Sequence, residues 1–139
     1  LHHWWPKMFG IMYNEFQAKI ACALIFIGFN ATFLPQFVMG SRGMPRRYAT
    51  YVPEYQPFHQ ASTIGAMILG LGVALMVYYL IASLLIRKKA KENQWGGVTL
   101  DWICPTPPPH LNFDEDPKVV HEVYDYTTLD YESLQRDAN

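Results

Sequence analysis

The stretch "IACALIFIGFNATFLPQFVM", residues 20–39, holds no charged side chain. At a rise of about 1.5 Å per residue, twenty residues of helix span roughly 30 Å, the thickness of a bilayer's hydrocarbon core. A second run, "ASTIGAMILGLGVALMVYYLIASLLI" at residues 61–86, is also free of charge and long enough to cross with tilt. A helical hairpin of a soluble protein would carry a polar stripe every three or four residues, and neither run does. Both read as transmembrane helices. The expected fold is therefore an all-α membrane protein with two spans and an irregular extramembrane tail.

Five segments follow. Residues 1–19 read as the end of a preceding helix with an inner-side loop, 20–39 as the first span and 40–60 as an outer loop. Residues 61–86 form the second span and 87–139 a basic, then proline-rich and acidic tail. Arg87, Lys88, Lys89 and Lys91 abut the second span, while Lys7 and Lys19 precede the first. The positive-inside rule puts both flanks on the cytoplasmic or matrix side and the connecting loop outside. That loop nevertheless holds Arg42, Arg46 and Arg47 against one acid, Glu54. Three arginines in an outward loop oppose the rule, so a local anionic partner is expected there.

Half of the 139 residues are apolar and 15% are aromatic, yet the net charge is only −1. With no long basic patch, a nucleic-acid partner is not expected. Cys22 lies inside an apolar run and Cys104 in a proline-rich segment, an arrangement that suggests neither a disulfide nor a CxxC metal site. The opening "LHHWWPKMFG" has no signal-peptide organisation and reads as though cut from a longer chain.

On the spans, Ser62, Ala66, Gly70 and Ala74 recur every four residues, a small-residue stripe suited to close helix approach. Gly28, Thr32 and Gln36 repeat at the same spacing, rising toward the arginine loop. Asn30 and Pro35 are unusual in lipid, and that end of the helix is expected to face protein or water. Two helices leave such faces unsatisfied, so a larger bundle is expected. Beyond Lys91, Gly96-Gly97 and the consecutive prolines 107–109 predict extended, irregular chain. Residues 92–139 carry ten acids against Lys118 and Arg136, and should lie across partner surfaces. The stretch after Tyr126 is expected to be disordered.

No metal or catalytic site is expected from the residues alone. His2 and His3 are adjacent and diverge by about 100° on a helix, so they are poorly placed to chelate one ion. His59 and His110 are isolated. "HEVYD" lacks the second histidine of a zincin motif. Asp114, Glu115 and Asp116 lie in a solvated tail with no apolar pocket to raise a pKa.

Arg46 and Arg47 remain. One reading has them touching lipid phosphates. The sharper one pairs them with the carboxylates of a buried cofactor, which a planar, permanently charged guanidinium matches bidentately. Pro45 biases Met44 toward extended backbone. If Arg46 and Arg47 continue extended, they point to opposite sides and serve two different anions.

The strings "HHWWPKMFGIMYNE", "FIGFNATFLPQF", "GMPRRY" and "WGGVTLDW…PTPPPHLNF", in this order, resemble the C-terminal part of subunit I of cytochrome c oxidase, in the haem–copper oxidase superfamily. The resemblance covers residues 1–113. It implies that the two spans are the last two helices of the subunit I bundle and that the chain is a fragment, or one half of a split subunit. In that family the arginine pair after "GMP" hydrogen-bonds the propionates of two haems, which implies that role for Arg46 and Arg47. It suggests more weakly that Thr32 and Gln36 line the haem side of their helix.

The family's haem and copper ligands lie on earlier helices. Both haems and the copper of a complete enzyme would therefore be ligated elsewhere, and this chain alone should be inactive. The implied partners are the remainder of subunit I, oxidase subunits II and III, cytochrome c and membrane lipids. The implied setting is a bacterial plasma membrane or mitochondrial inner membrane, in a proton-pumping enzyme. "GMPRRY" and "LPQF" favour a cytochrome c-oxidising enzyme over a quinol oxidase. A two-span accessory or assembly protein without haem contact is the alternative.

Overall fold

A computed structural model describes residues 1–113, 117, 122 and 124–128. The acids at 114–116, Lys118, Arg136, two residues of "HEVYD" (His121 and Val123) and the stretch from residue 129 onward lie outside the described residues. In chain order the helices are α1 (Trp5–Phe9), α2 (Glu15–Ser41), α3 (Gln56–Ile86) and α4 (Leu100–Ile103). Single 3₁₀ turns occur at Pro53–Tyr55 and Tyr126–Thr128. Among the described residues there is no β-strand, only one isolated antiparallel bridge between Ile11 and Lys89.

Two helices are long and apolar enough to cross a membrane, Glu15–Ser41 and Pro53–Ile86, the second counting the 3₁₀ turn. Only 17% and 22% of their most apolar windows are buried, whereas the core helix of a soluble protein would be mostly buried. Phe26, Phe37 and Met67 project outward among many such side chains. An α-helix suits an apolar solvent because its backbone groups satisfy one another within the segment.

Both helices extend past the uncharged runs, because polar residues can serve helix ends. The Asn14 side chain caps α2, its Oδ1 accepting from the Gln17 amide at 3.1 Å, and Glu15 favours the positive end of the helix dipole. Polar groups within the spans are satisfied locally. Asn30 Nδ2 donates to the Phe26 carbonyl at 2.7 Å, and Thr63 Oγ1 to the His59 carbonyl at 2.8 Å. Pro35 sits inside α2, where it has no N–H to offer Ala31.

The chain forms two compact units: Asn14–Ala82, and Leu1–Tyr13 together with the described part of Ser83–Asn139. In the first, α2 and α3 meet where side chains are smallest. A Cβ added to Gly28 would lie 2.4 Å from the Leu69 amide nitrogen, and one added to Gly65 would lie 2.5 Å from that of Thr32. Glycine is required at both points, because the obstacle is backbone. The small-residue stripe expected on α3 is therefore corrected. Its contact face is Ser62, Gly65 and Gly72, all buried, while Ala66, Gly70 and Ala74 are exposed and a Cβ on Gly70 would meet nothing. Strict four-residue spacing drifts around a helix of 3.6 residues per turn, so the face that stays in contact alternates steps of three and four.

The second unit departs from the expectation of a tail lying only across partners. Residues 88–106 return to the first thirteen residues. The Met12 amide donates to the Lys88 carbonyl at 2.8 Å and the Ala90 amide to the Gly10 carbonyl at 3.0 Å. Trp5 Nε1 donates to Ser83 Oγ at 2.9 Å, and Trp95 Nε1 to the His3 carbonyl at 2.7 Å. Trp5, Pro6, Lys7, Trp102 and Cys104 are buried here. No periodic pattern marks this core, because its two halves come from widely separated parts of the chain.

Candidate functional site

The loop between α2 and α3 is braced by aromatic side chains. Tyr55 Oη donates to the Arg42 carbonyl at 3.2 Å, and Tyr51 Oη to Gln56 Oε1 at 2.5 Å. The ring of Tyr51 lies 4.1 Å from that of His59, with Tyr48 5.5 Å away on the same imidazole. Tyr48 Oη stands 3.5 Å from His59 Nδ1, while His59 Nε2 is buried with no hydrogen-bond partner among the described residues. The histidine fixes the turn by ring packing, a role its isolated position in the sequence did not suggest.

Within this frame the three arginines differ. The Arg42 guanidinium is stacked on the Phe58 ring at 5.3 Å, a cation–π contact that commits it within the chain. Arg46 and Arg47 are both exposed, and neither has a partner among the described residues. The expectation that both continue as extended backbone does not hold. Arg47 is left-handed, at φ 57°, and a residue in that region breaks the alternation by which neighbours in a strand point to opposite faces. Such a conformation is costly for any residue that carries a Cβ, so the loop presents the pair through a sharp bend.

Beneath the loop, Thr32 and Gln36 belong to a polar relay between helices. Gln36 Nε2 donates to Ser62 Oγ at 2.9 Å, Ser62 Oγ donates to the Thr32 carbonyl at 2.9 Å, and Thr32 Oγ1 donates to the Gly28 carbonyl at 2.7 Å. Interhelical hydrogen bonds of this kind contribute on average about 0.6 kcal/mol each in a membrane. The Gln36 side chain and the Thr32 carbonyl thus engage α3, while the Thr32 hydroxyl bonds within α2.

Sequence reasoning missed the most heavily coordinated charge. Lys7, only 6% exposed, donates from Nζ to the carbonyls of Glu92 at 3.1 Å and Trp102 at 3.0 Å, to that of Cys104, and to Thr106 Oγ1 at 2.8 Å. The Trp102 ring centroid is 6.0 Å from Nζ. A buried ammonium requires such a shell of oxygens. The neighbouring His3 stacks on Trp95 at 6.2 Å and meets Trp102 edge-on at 4.7 Å. Burial pushes the His2 imidazole below its ordinary value. Among the described residues no three His, Cys, Asp or Glu side chains converge as a metal site would need.

Two apolar helices long enough to cross a bilayer, a loop with two exposed guanidiniums and a second unit closed around a buried lysine define a helical membrane protein with an exposed arginine pair between its spans. Comparison with known proteins makes the class specific. Residues 1–68 match the family model described as cytochrome c and quinol oxidase polypeptide I. The chain is 44% identical over 120 residues to the haem–copper oxidase subunit I+III of Aeropyrum pernix, covering 86% of this chain and 14% of that protein. It is 40% identical over 126 residues to cytochrome c oxidase subunit 1 of a Synechocystis species, covering 91% of this chain and 23% of the relative. It is also 40% identical over 121 residues to the subunit 1 of Bacillus sp. strain PS3, covering 85% and 20%. The chain belongs to the subunit I family of haem–copper oxidases, and it spans less than a quarter of the length of these relatives.

Proposed function

We propose that this chain is the C-terminal portion of the catalytic subunit of a proton-pumping cytochrome c oxidase. It closes the helix bundle and pairs haem propionates through Arg46 and Arg47. The observation that carries this reading is the contrast among the loop arginines: Arg42 is stacked on Phe58, whereas Arg46 and Arg47 are exposed and have no partner among the described residues. Two adjacent, permanently charged planar donors fit two carboxylates.

Haems and copper, ligated by the remainder of subunit I, would supply the electron transfer and oxygen chemistry. This chain's residues do the electrostatic work at the rim. The guanidiniums keep the propionates ionised and hold them by charge-assisted hydrogen bonds. The Tyr48–Tyr51–His59 cluster fixes the turn, so little reorganisation is needed when the carboxylates meet it. Thr32 and Gln36 support the haem side of α2 by ordering the helix pair beneath the loop. The reading also places the loop on the outer side of the membrane, the tail on the inner side, and subunits II and III and cytochrome c among the partners. An accessory protein without haem contact fits less well, since the relatives matched over most of this chain are themselves oxidase subunits I.

Arg47→Leu in the complete oxidase is the test. A nearby cation favours the reduced, less positive haem iron, so its removal should lower a haem midpoint potential and weaken haem retention, with Arg47→Lys intermediate. An unchanged haem spectrum, redox titration and turnover in Arg47→Leu would defeat the assignment.

A further inference from the structure

The end of α3 carries a second set of cations that the haem reading does not use. The helix stops at Ile86, where Arg87 turns left-handed at φ 54° while its amide still donates to the Ser83 carbonyl at 2.9 Å. Arg87, Lys88 and Lys89 follow, all exposed. Arg87 Nε reaches only the carbonyl of Leu84 in its own last turn, at 3.4 Å. Among the described residues neither lysine ammonium has a partner, and no carboxylate meets any of the three.

Their backbone is nevertheless fixed. Lys88 accepts from Met12, Lys89 bridges to Ile11, and Ala90 donates to Gly10. These bonds hold the segment in place, so Arg87, Lys88 and Lys89 carry their charge at the helix end. The preceding residues Leu85 and Ile86 are 79% and 76% exposed. Apolar side chains open to the surroundings, followed at once by three cations that meet no carboxylate among the described residues, reproduce the profile of a phospholipid from acyl chain to headgroup.

We propose that Arg87, Lys88 and Lys89, with Leu85 and Ile86, form a docking surface for anionic glycerophospholipid. The cations meet the headgroup phosphate and the two apolar side chains meet its acyl chains. An acidic segment of a soluble protein would meet the cations, but not the exposed leucine and isoleucine that immediately precede them in the chain. Each basic residue near an anionic surface contributes roughly a fivefold preference. The proposal rests on the membrane-embedded reading of α3 and is independent of propionate pairing, so its test uses no haem signal.

The complete membrane assembly would be reconstituted in phosphatidylcholine vesicles carrying spin-labelled phosphatidylglycerol or spin-labelled phosphatidylcholine. Electron paramagnetic resonance then gives the relative association of the two. R87Q/K88Q/K89Q should lose most of the phosphatidylglycerol preference attributable to this chain, by roughly fivefold per charge removed. The charge-conserving R87K/K88R/K89R should keep it, and added salt should erase the difference between the two variants. An unchanged preference in the glutamine variant would overturn the proposal. So would equal loss in both variants, which would report misfolding rather than charge. Loss of an oxidase subunit from the glutamine variant with lipid preference intact would assign the patch to protein and overturn it as well.

Discussion

Lys7 sits in "WPKMF", where a lone lysine reads as one more basic residue on the inner flank. In the folded chain it is buried, and its ammonium gathers three carbonyls and a hydroxyl from residues 92–106. Those acceptors are 85 to 99 residues away in sequence, so no local pattern could reveal them. Lys7→Met keeps the volume of the stem and removes the donors. Leaving buried acceptors without their donor costs about 1–3 kcal/mol, and the segment should loosen. The Cys104 thiol, now 5% exposed, should then react with a maleimide several times faster in a Cys22→Ser background; unchanged labelling would show that Lys7 does not hold the segment. Arg46 and Arg47 present the opposite case. Their planar charge in the loop between the spans was legible from residue type and order alone, whereas the left-handed turn at Arg47 was not, because Pro45 restricts only the residue before it.

At the scale of elements, the two spans were plain because hydropathy and length are local properties, and a charge-free run about as long as a bilayer is thick suits few surroundings except lipid. Their mutual face was not. Ser62, Gly65 and Gly72 meet α2, while Gly70 faces away, and from sequence both sets look like small-residue stripes. Packing decides between them, since the backbone of α2 at Ala31 and Thr32 leaves no room for a side chain at Gly65. Gly65→Ala should therefore separate the helices and cost about 1–3 kcal/mol, the usual scale of overpacking. Thermal denaturation of the solubilised assembly checks this, with a lower midpoint expected; a midpoint equal to wild type would mean that the crossing is looser than the glycine geometry requires. Helix ends fell between these cases. The Asn14 cap begins α2 outside the apolar run, so the helix is longer than the charge-free segment that announces it.

As a whole molecule, the chain shows outward-facing apolar side chains along both spans and belongs to a subunit family whose matched members are several times its length. Such faces are stable only against lipid or other helices. The chain should accordingly co-purify from membranes in one-to-one ratio with the polypeptide segment that carries the haem-ligating histidines, as measured by quantitative mass spectrometry of the haem-containing fraction. Its absence from that fraction would favour an assembly protein. Sequence by itself determined the spans, the charged ends, the arginine pair and the family, because each depends on residues close together in the chain or on a linear order of motifs. Only the tertiary structure decided which faces of α2 and α3 meet, how Arg42 is set apart from its neighbours, and that the first residues and residues 92–106 close around Lys7. Those outcomes depend on backbone clearance and on acceptors brought from distant residues, and neither is written in any local run of side chains.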